Sequence, residues 1–139
     1  MIVIQQPTKP SRRADKPISV RRQLAAAWRW LARGDAEITI RLADNAELRR
    51  LNAQFRGKRC VTDVLSFPYP QADGRCDGDV VIGLGVAATQ ARRRRVAVEA
   101  EIVRLGVHGL AHLAGLDHHT RTGFMAMRQV EFETLIQIL

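Results

Sequence analysis

Residues 98–114 form the longest periodic segment of the chain. Ile102, Leu105, Gly106, Gly109 and Leu113 fall on one face at helical spacing, and Glu101, Arg104, His108 and His112 fall on a neighbouring one. A helix of this kind buries its apolar stripe against the rest of the fold and leaves the polar stripe at its border. That stripe begins a run that continues past the helix, Val107-His-Gly-Leu-Ala-His-Leu-Ala-Gly-Leu-Asp-His-His119. All four histidines of the protein lie in it, and three follow the spacing H-x3-H-x5-H.

Histidines four apart share a helix face, so His108 and His112 can approach one metal ion together. A third ligand must come from beyond the helix. Gly115 suits the turn that this needs, because glycine tolerates the left-handed conformation common at helix ends. His118 then reaches back. Three imidazoles with a fourth vertex open are the pattern of a catalytic zinc rather than a structural one. The expectation is one zinc ion per chain held by His108, His112 and His118. A lone H-x3-H is common on helices; the glycine and the third histidine in register set this one apart from a structural cluster. Asp117 is expected to turn the chain or support the site, and His119 to lie on the surface or support the site, rather than to ligate.

Metzincin proteases share the histidine spacing but carry glutamate after the first histidine as general base. Here that position is Gly109. A metallopeptidase would lack its usual means of activating water. Met125 and Met127 follow the motif as a Met-turn would, but helix packing accounts for them.

The charge bears on substrate. Net charge is +8, and only three of the 22 basic residues are lysine. Guanidinium groups match phosphate oxygens, so this surface suits a polyanion better than a small neutral substrate, though charge alone fits a plain solvated surface rich in arginine equally well. The run Arg92-Arg93-Arg94-Arg95 is a candidate track for a nucleic-acid backbone, against the plainer alternative of a solvated helix face. Cys60 and Cys76 are too far apart for a C-x-x-C pair and read as reduced, incidental thiols. The opening Met-Ile-Val-Ile is too short an apolar run for a signal peptide, and no stretch is long enough to span a membrane. A cytoplasmic protein with no membrane partner is expected.

The rest of the chain alternates strands and helices. Strands are expected over 2–6, 38–42, 61–68 and 79–83, with a connection over 7–17 and a loop over 69–78. Helices are expected over 20–33 with Ser19 as cap, over 45–55 with Asp44 capping and Gly57 ending it, and over 86–95. A last helix opens at Thr120 or Thr122, with Phe124, Met127, Phe132 and Leu135 inward. This mixture in 139 residues predicts one α+β domain over 1–139 with a mixed sheet packed with helices, and the histidine spacing adds a zincin-like metal site.

At His108-Gly-Leu-Ala-His112-Leu-Ala-Gly115-Leu-Asp117-His118 the chain resembles the H-G-x-L-H-L-x-G-y-D-H signature of the YbeY endoribonucleases. Upstream, Leu51-Asn-Ala-Gln-Phe-Arg56-Gly-Lys, then Thr62-Asp63-Val-Leu-Ser-Phe67-Pro, resembles that family's second block. Gly78-Asp79-Val-Val-Ile82 resembles its G-D-I-x-I strand, and Met127-x-x-x-Glu131 its closing helix. Ala111 and Leu116 depart from the usual leucine and tyrosine.

The resemblance implies a metal-dependent, single-strand-specific endoribonuclease. Its work would be ribosomal RNA processing, notably 3′-end maturation of the small-subunit RNA, and ribosome quality control. Its partners would be single-stranded ribosomal RNA and the ribosome or its associated proteins. It also implies that Arg56 faces the active site. On chemical grounds Arg56 would there bind phosphate, against the plainer alternative of a solvated helix end, and Asp63 could orient Arg56 or a water, against that of a strand-edge or turn carboxylate. The competing readings are the zincin-type metallopeptidase and a non-catalytic ribosome-assembly factor with a structural metal.

Overall fold

The computed structural model describes residues 2–5, 17–32, 36–57, 62–74, 76–116 and 121–138. Four strands, β1 (Ile2–Gln5), β2 (Ile38–Ala43), β3 (Val64–Pro70) and β4 (Cys76–Gly83), make one sheet in the order β1-β2-β4-β3. β1, β2 and β4 run parallel, and β3 is antiparallel to β4, so the sheet is mixed. The described helices are α1 (Pro17–Ala32), α2 (Asn45–Arg56), α3 (Leu84–Arg94), α4 (Val98–Leu113) and α5 (Arg121–Ile138). This is the expected α+β arrangement.

Strand alternation sorts the sheet into two faces. Val80 and Ile82 of β4 and Val64 of β3 join the larger core with α1 and α4. Val81 and Leu65 join Leu48 in a smaller core under α2, with Leu51 and Phe67 against it. α4 touches α1, α3, α5, β3 and β4, which explains why it is the most apolar helix. Leu105, Val107 and Leu110 on it are fully enclosed, each stabilising the fold by about 1.5–3 kcal/mol.

Gly106 and Gly109 let α4 approach its neighbours. A Cβ at Gly106 would sit 2.6 Å from Leu24 of α1, and one at Gly109 2.5 Å from Val80 of β4. The helix ends at Gly115, whose φ of 95° is left-handed. The Gly115 N–H donates to the His112 carbonyl at 3.0 Å and the Leu116 N–H to that of Ala111 at 3.1 Å, a Schellman ending. α2 opens as expected, with Asp44 accepting the Glu47 N–H at 2.9 Å, a cap of about 1 kcal/mol. It closes on Gly57 with φ 67°. The Glu47 carboxylate pairs with Arg41 of β2.

Four local expectations are corrected. α1 begins at Pro17, so Ser19 lies inside it rather than capping it; proline is well suited to a first helical position. The expected loop over 69–78 is strand at both ends. Tyr69 pairs with Asp77 and Pro70 with Cys76, which leaves a short turn. β3 starts at Val64, with Thr62 and Asp63 outside it and residue 61 outside the described residues, and runs through Pro68 and Pro70. It is an edge strand, where missing N–H groups cost no ladder bond on the open side. In α5, Met127 is buried and Leu135 packs against the core as expected. Phe124 and Phe132 are exposed instead, because the inward face runs through Met127 and Thr134.

Candidate metal and phosphate site

β3 sends alternate side chains to opposite sides, and a cleft of about 530 Å³ wraps over this edge strand. From one side of the sheet α4 supplies His108 and His112. From the other the end of α2 supplies Phe55 and Arg56. Thr62, Asp63 and the strand itself form the floor between them.

The two histidines lie one helical turn apart, with ring centroids 4.8 Å apart and planes at 79°. Nδ1 of His108 is hydrogen-bonded to Oε1 of Glu131 on α5. With Nδ1 on the carboxylate, Nε2 is the ring nitrogen not engaged by Glu131. Carboxylate-to-imidazole bonds of this kind fix the tautomer and ring orientation of metal-binding histidines. The two imidazoles are of the ligand type that zinc takes, and Glu131 supports one of them rather than adding a third donor. His118, the expected third ligand, lies outside the described residues, as do Asp117 and His119. Among the described residues no group of three His, Cys, Asp or Glu side chains is placed to hold a metal.

Gly109 faces the sheet. A side chain there would meet Val80 at 2.5 Å, Ser66 Oγ at 3.1 Å and Val64 at 3.2 Å. The Ser66 hydroxyl donates to the Gly109 carbonyl at 3.0 Å and ties α4 to β3. The missing glutamate is therefore a matter of packing as well as chemistry: this backbone has no room for a general base at that position.

Arg56 is exposed at the last turn of α2, directly before the Gly57 turn. Asp63 lines the cleft, and its Oδ1 accepts the Val64 N–H at 2.9 Å. A smaller pocket of about 130 Å³ adjoins His108 and Glu131 and is lined by Arg104 and Arg128. Arg104 is anchored to the buried Glu101, with Nε donating at 3.0 Å, and donates to Gln90 at 3.1 Å. Arg92 to Arg95 are exposed at the end of α3, and Arg94 lies 3.9 Å from Glu101. The arginine run is thereby connected, through Glu101 and Arg104, to the pocket beside His108. Sequence reasoning missed Glu131 as a partner of His108. The available signal was its place four residues after Met127, which puts a carboxylate on the inward side of α5.

The fold and the cleft define an α+β protein whose central helix presents paired histidines across an edge strand from an arginine. The family described as Endoribonuclease YbeY matches residues 11–138. The chain is 46% identical to an endoribonuclease YbeY of Anaeromyxobacter sp. (strain Fw109-5), over 82% of this chain but 60% of that protein's length. It is 38% identical to an endoribonuclease YbeY of Aromatoleum aromaticum, over 96% of this chain and 85% of that one. The solution structure of TM1509 from Thermotoga maritima superposes with a TM-score of 0.62 at 26% identity, covering 99% of this chain and 91% of that one. The chain belongs to the YbeY family. No helix among the described residues is long and apolar enough to cross a membrane.

Proposed function

We propose that this protein is a metal-dependent, single-strand-specific endoribonuclease that processes ribosomal RNA, including the 3′ end of the small-subunit RNA, and serves ribosome quality control in the cytoplasm. The observation that carries this reading is the cleft that joins the His108–His112 pair to Arg56 across the β3 edge. The names of the relatives and the +8 charge support the same substrate class.

In this reading His108, His112 and His118 hold one zinc ion. The ion supplies Lewis acidity where negative charge grows on the phosphoryl group. Glu131 orients His108. Arg56 binds the phosphate from the opposite wall and stabilises the same charge, the guanidinium fork matching two phosphate oxygens. Arg92, Arg93, Arg94 and Arg95 guide the flanking backbone toward the cleft. Partners are single-stranded ribosomal RNA and the ribosome or proteins bound to it.

One observation favours a second reading, the metallopeptidase. Among the described strands β3 pairs only with β4, and an open strand edge suits an extended peptide. The crowded backbone at Gly109 weighs against it.

The test is metal analysis of the purified protein, coupled to incubation with single-stranded RNA and with an unstructured peptide before and after chelation. RNA cleavage that chelation abolishes and zinc restores, with the peptide intact, is the expected result. Peptide cleavage with intact RNA overturns the proposal. A folded His112→Ala protein that still corrects an rRNA-processing defect would instead favour a non-catalytic assembly role. Analysis of the RNA ends separates the two nucleophiles, since attack by the 2′-hydroxyl leaves a 2′,3′-cyclic phosphate and attack by water does not.

A further inference from the structure

Phe55 is 58% exposed, yet it stands inside the lining of a cleft. A scattered exposed apolar residue is ordinary on a protein surface. This one differs in three respects. Among the described residues it is the only exposed aromatic that lines the 530 Å³ cleft; Trp30, Tyr69, Phe124 and Phe132 do not. Its ring meets Phe67 edge to face, with centroids 5.0 Å apart and planes at 62°, a contact that favours this orientation. Its chain neighbour is Arg56, and both side chains line the same wall.

An oriented, water-exposed aromatic beside a guanidinium matches the two faces of a nucleotide. The ring stacks on the π-face of a base, and the arginine donates to the phosphate oxygens. Stacking of this kind tolerates any base, because every base has a π-face. It also discriminates against duplex, in which both faces of each base are already covered by neighbours.

We propose that Phe55 is the base-stacking platform of the cleft: it holds an unpaired nucleotide flanking the phosphate bound at Arg56, and so selects single-stranded RNA. The proposal rests on the endoribonuclease reading and adds to it the residue that recognises the strand as single. Phe67 acts through Phe55 as its positioning residue.

The test uses the full chain and a single-stranded 2′-O-methyl RNA, which binds without offering a 2′-hydroxyl nucleophile, with 2-aminopurine or an abasic nucleotide placed at successive positions. Wild-type protein is compared with Phe55→Leu, which keeps an apolar side chain without a ring, and with Phe55→Trp. Thermal melting checks that each variant is folded. Phe55→Leu is expected to weaken binding by about tenfold and to abolish the fluorescence change of 2-aminopurine at one position. Phe55→Trp retains both. An abasic nucleotide at that position weakens wild type to the same extent and leaves Phe55→Leu unaffected, as a shared contact requires. Equal affinity of wild type and Phe55→Leu overturns the proposal. So does a wild-type protein indifferent to abasic substitution at every position. Abasic scanning of the wild-type protein decides the matter even where a variant misfolds. A wild-type protein that binds no single-stranded RNA overturns the endoribonuclease reading itself, and with it the proposal; RNA binding that ignores Phe55 overturns the proposal alone.

Discussion

Nδ1 of His108 on α4 is hydrogen-bonded to Oε1 of Glu131 on α5. The bond joins helices whose connection includes the third histidine of the motif, and it sets which nitrogen of His108 faces any other partner. Loss of such a supporting carboxylate costs about 10–100-fold in metal affinity. Glu131→Ala is therefore expected to weaken zinc binding by that factor, measured by competition with a chromophoric chelator. Glu131→Gln is expected to recover part of it, since the amide oxygen can still accept a bond from Nδ1–H. Equal affinities for wild type and Glu131→Ala would leave Glu131 as a helix-packing contact only.

Arg56 stands at the end of α2 on the wall facing the histidines. Removal of a group that stabilises transition-state charge lowers kcat by about 10²–10³-fold. Arg56→Ala is expected to do so in an RNA-cleavage assay while zinc content and melting temperature stay at wild-type values. Arg56→Lys keeps the charge without the fork, so partial activity is expected.

At Gly109 an added Cβ has no space against Val80, Val64 and Ser66. Overpacking costs about 1–3 kcal/mol, so Gly109→Ala is expected to lower the urea midpoint accordingly. Because α4 must move off the sheet to relieve the clash, zinc affinity is expected to fall along with stability.

Arg95 ends α3 in the left-handed region at φ 58°, with its N–H donating to the Arg92 carbonyl at 3.3 Å and the Val96 N–H to that of Ala91 at 3.0 Å. A side chain there costs about 1 kcal/mol relative to glycine. Arg95→Gly is expected to raise stability by about that amount in urea unfolding. If Arg95 also meets an RNA phosphate, the same variant reduces the salt slope of RNA binding by about 1. One substitution thus separates backbone strain from phosphate contact, with opposite signs on stability and affinity.

Tyr69 is the single tyrosine of the chain, so phenolate absorbance reports it alone. Partial desolvation of its hydroxyl, a hydrogen bond to Asp79 and the charge of that carboxylate together raise the pKa of this half-exposed side chain above the ordinary 10.0. The hydroxyl donates to Asp79 Oδ2 at 3.0 Å. The folded state holds the proton more tightly than the unfolded chain does. The resulting stability is fully present below the ordinary tyrosine pKa and is lost as pH rises through the raised one. Spectrophotometric titration is expected to place the transition above that of free tyrosine, and Asp79→Asn to move it part of the way back.

Elements governed by local periodicity were legible in the sequence. The 3.6-residue repeat around Leu105 and Leu113 marks α4, the Asp44 cap and Gly57 bracket α2, and Gly115 marks the turn after His112. Features set by a distant partner were not. Pro68 and Pro70 speak against a strand on local grounds, and only pairing with β4 at the sheet edge makes them acceptable. In α5 apolar residues occupy more than one face, so periodicity alone did not tell Met127, which packs inward, from Phe132, which does not. The histidine spacing was read from sequence, but the Glu131 bond depends on how α5 docks on α4. The neighbourhood of Arg56 and the histidines depends likewise on a cleft that folds over β3.

That cleft has a reading frame. Even-numbered residues of β3, Val64 and Ser66, meet the histidine helix; odd-numbered ones, Leu65 and Phe67, meet the helix that carries Phe55 and Arg56. One inserted residue within the strand would exchange the two sets, pressing the bulk of Phe67 toward α4 and withdrawing the support beneath Phe55. The same insertion in the turn between β3 and β4 would leave both walls where they are. The two halves of the site are therefore held in phase by seven residues. Length variation is tolerable at the tip of this hairpin and not along its edge.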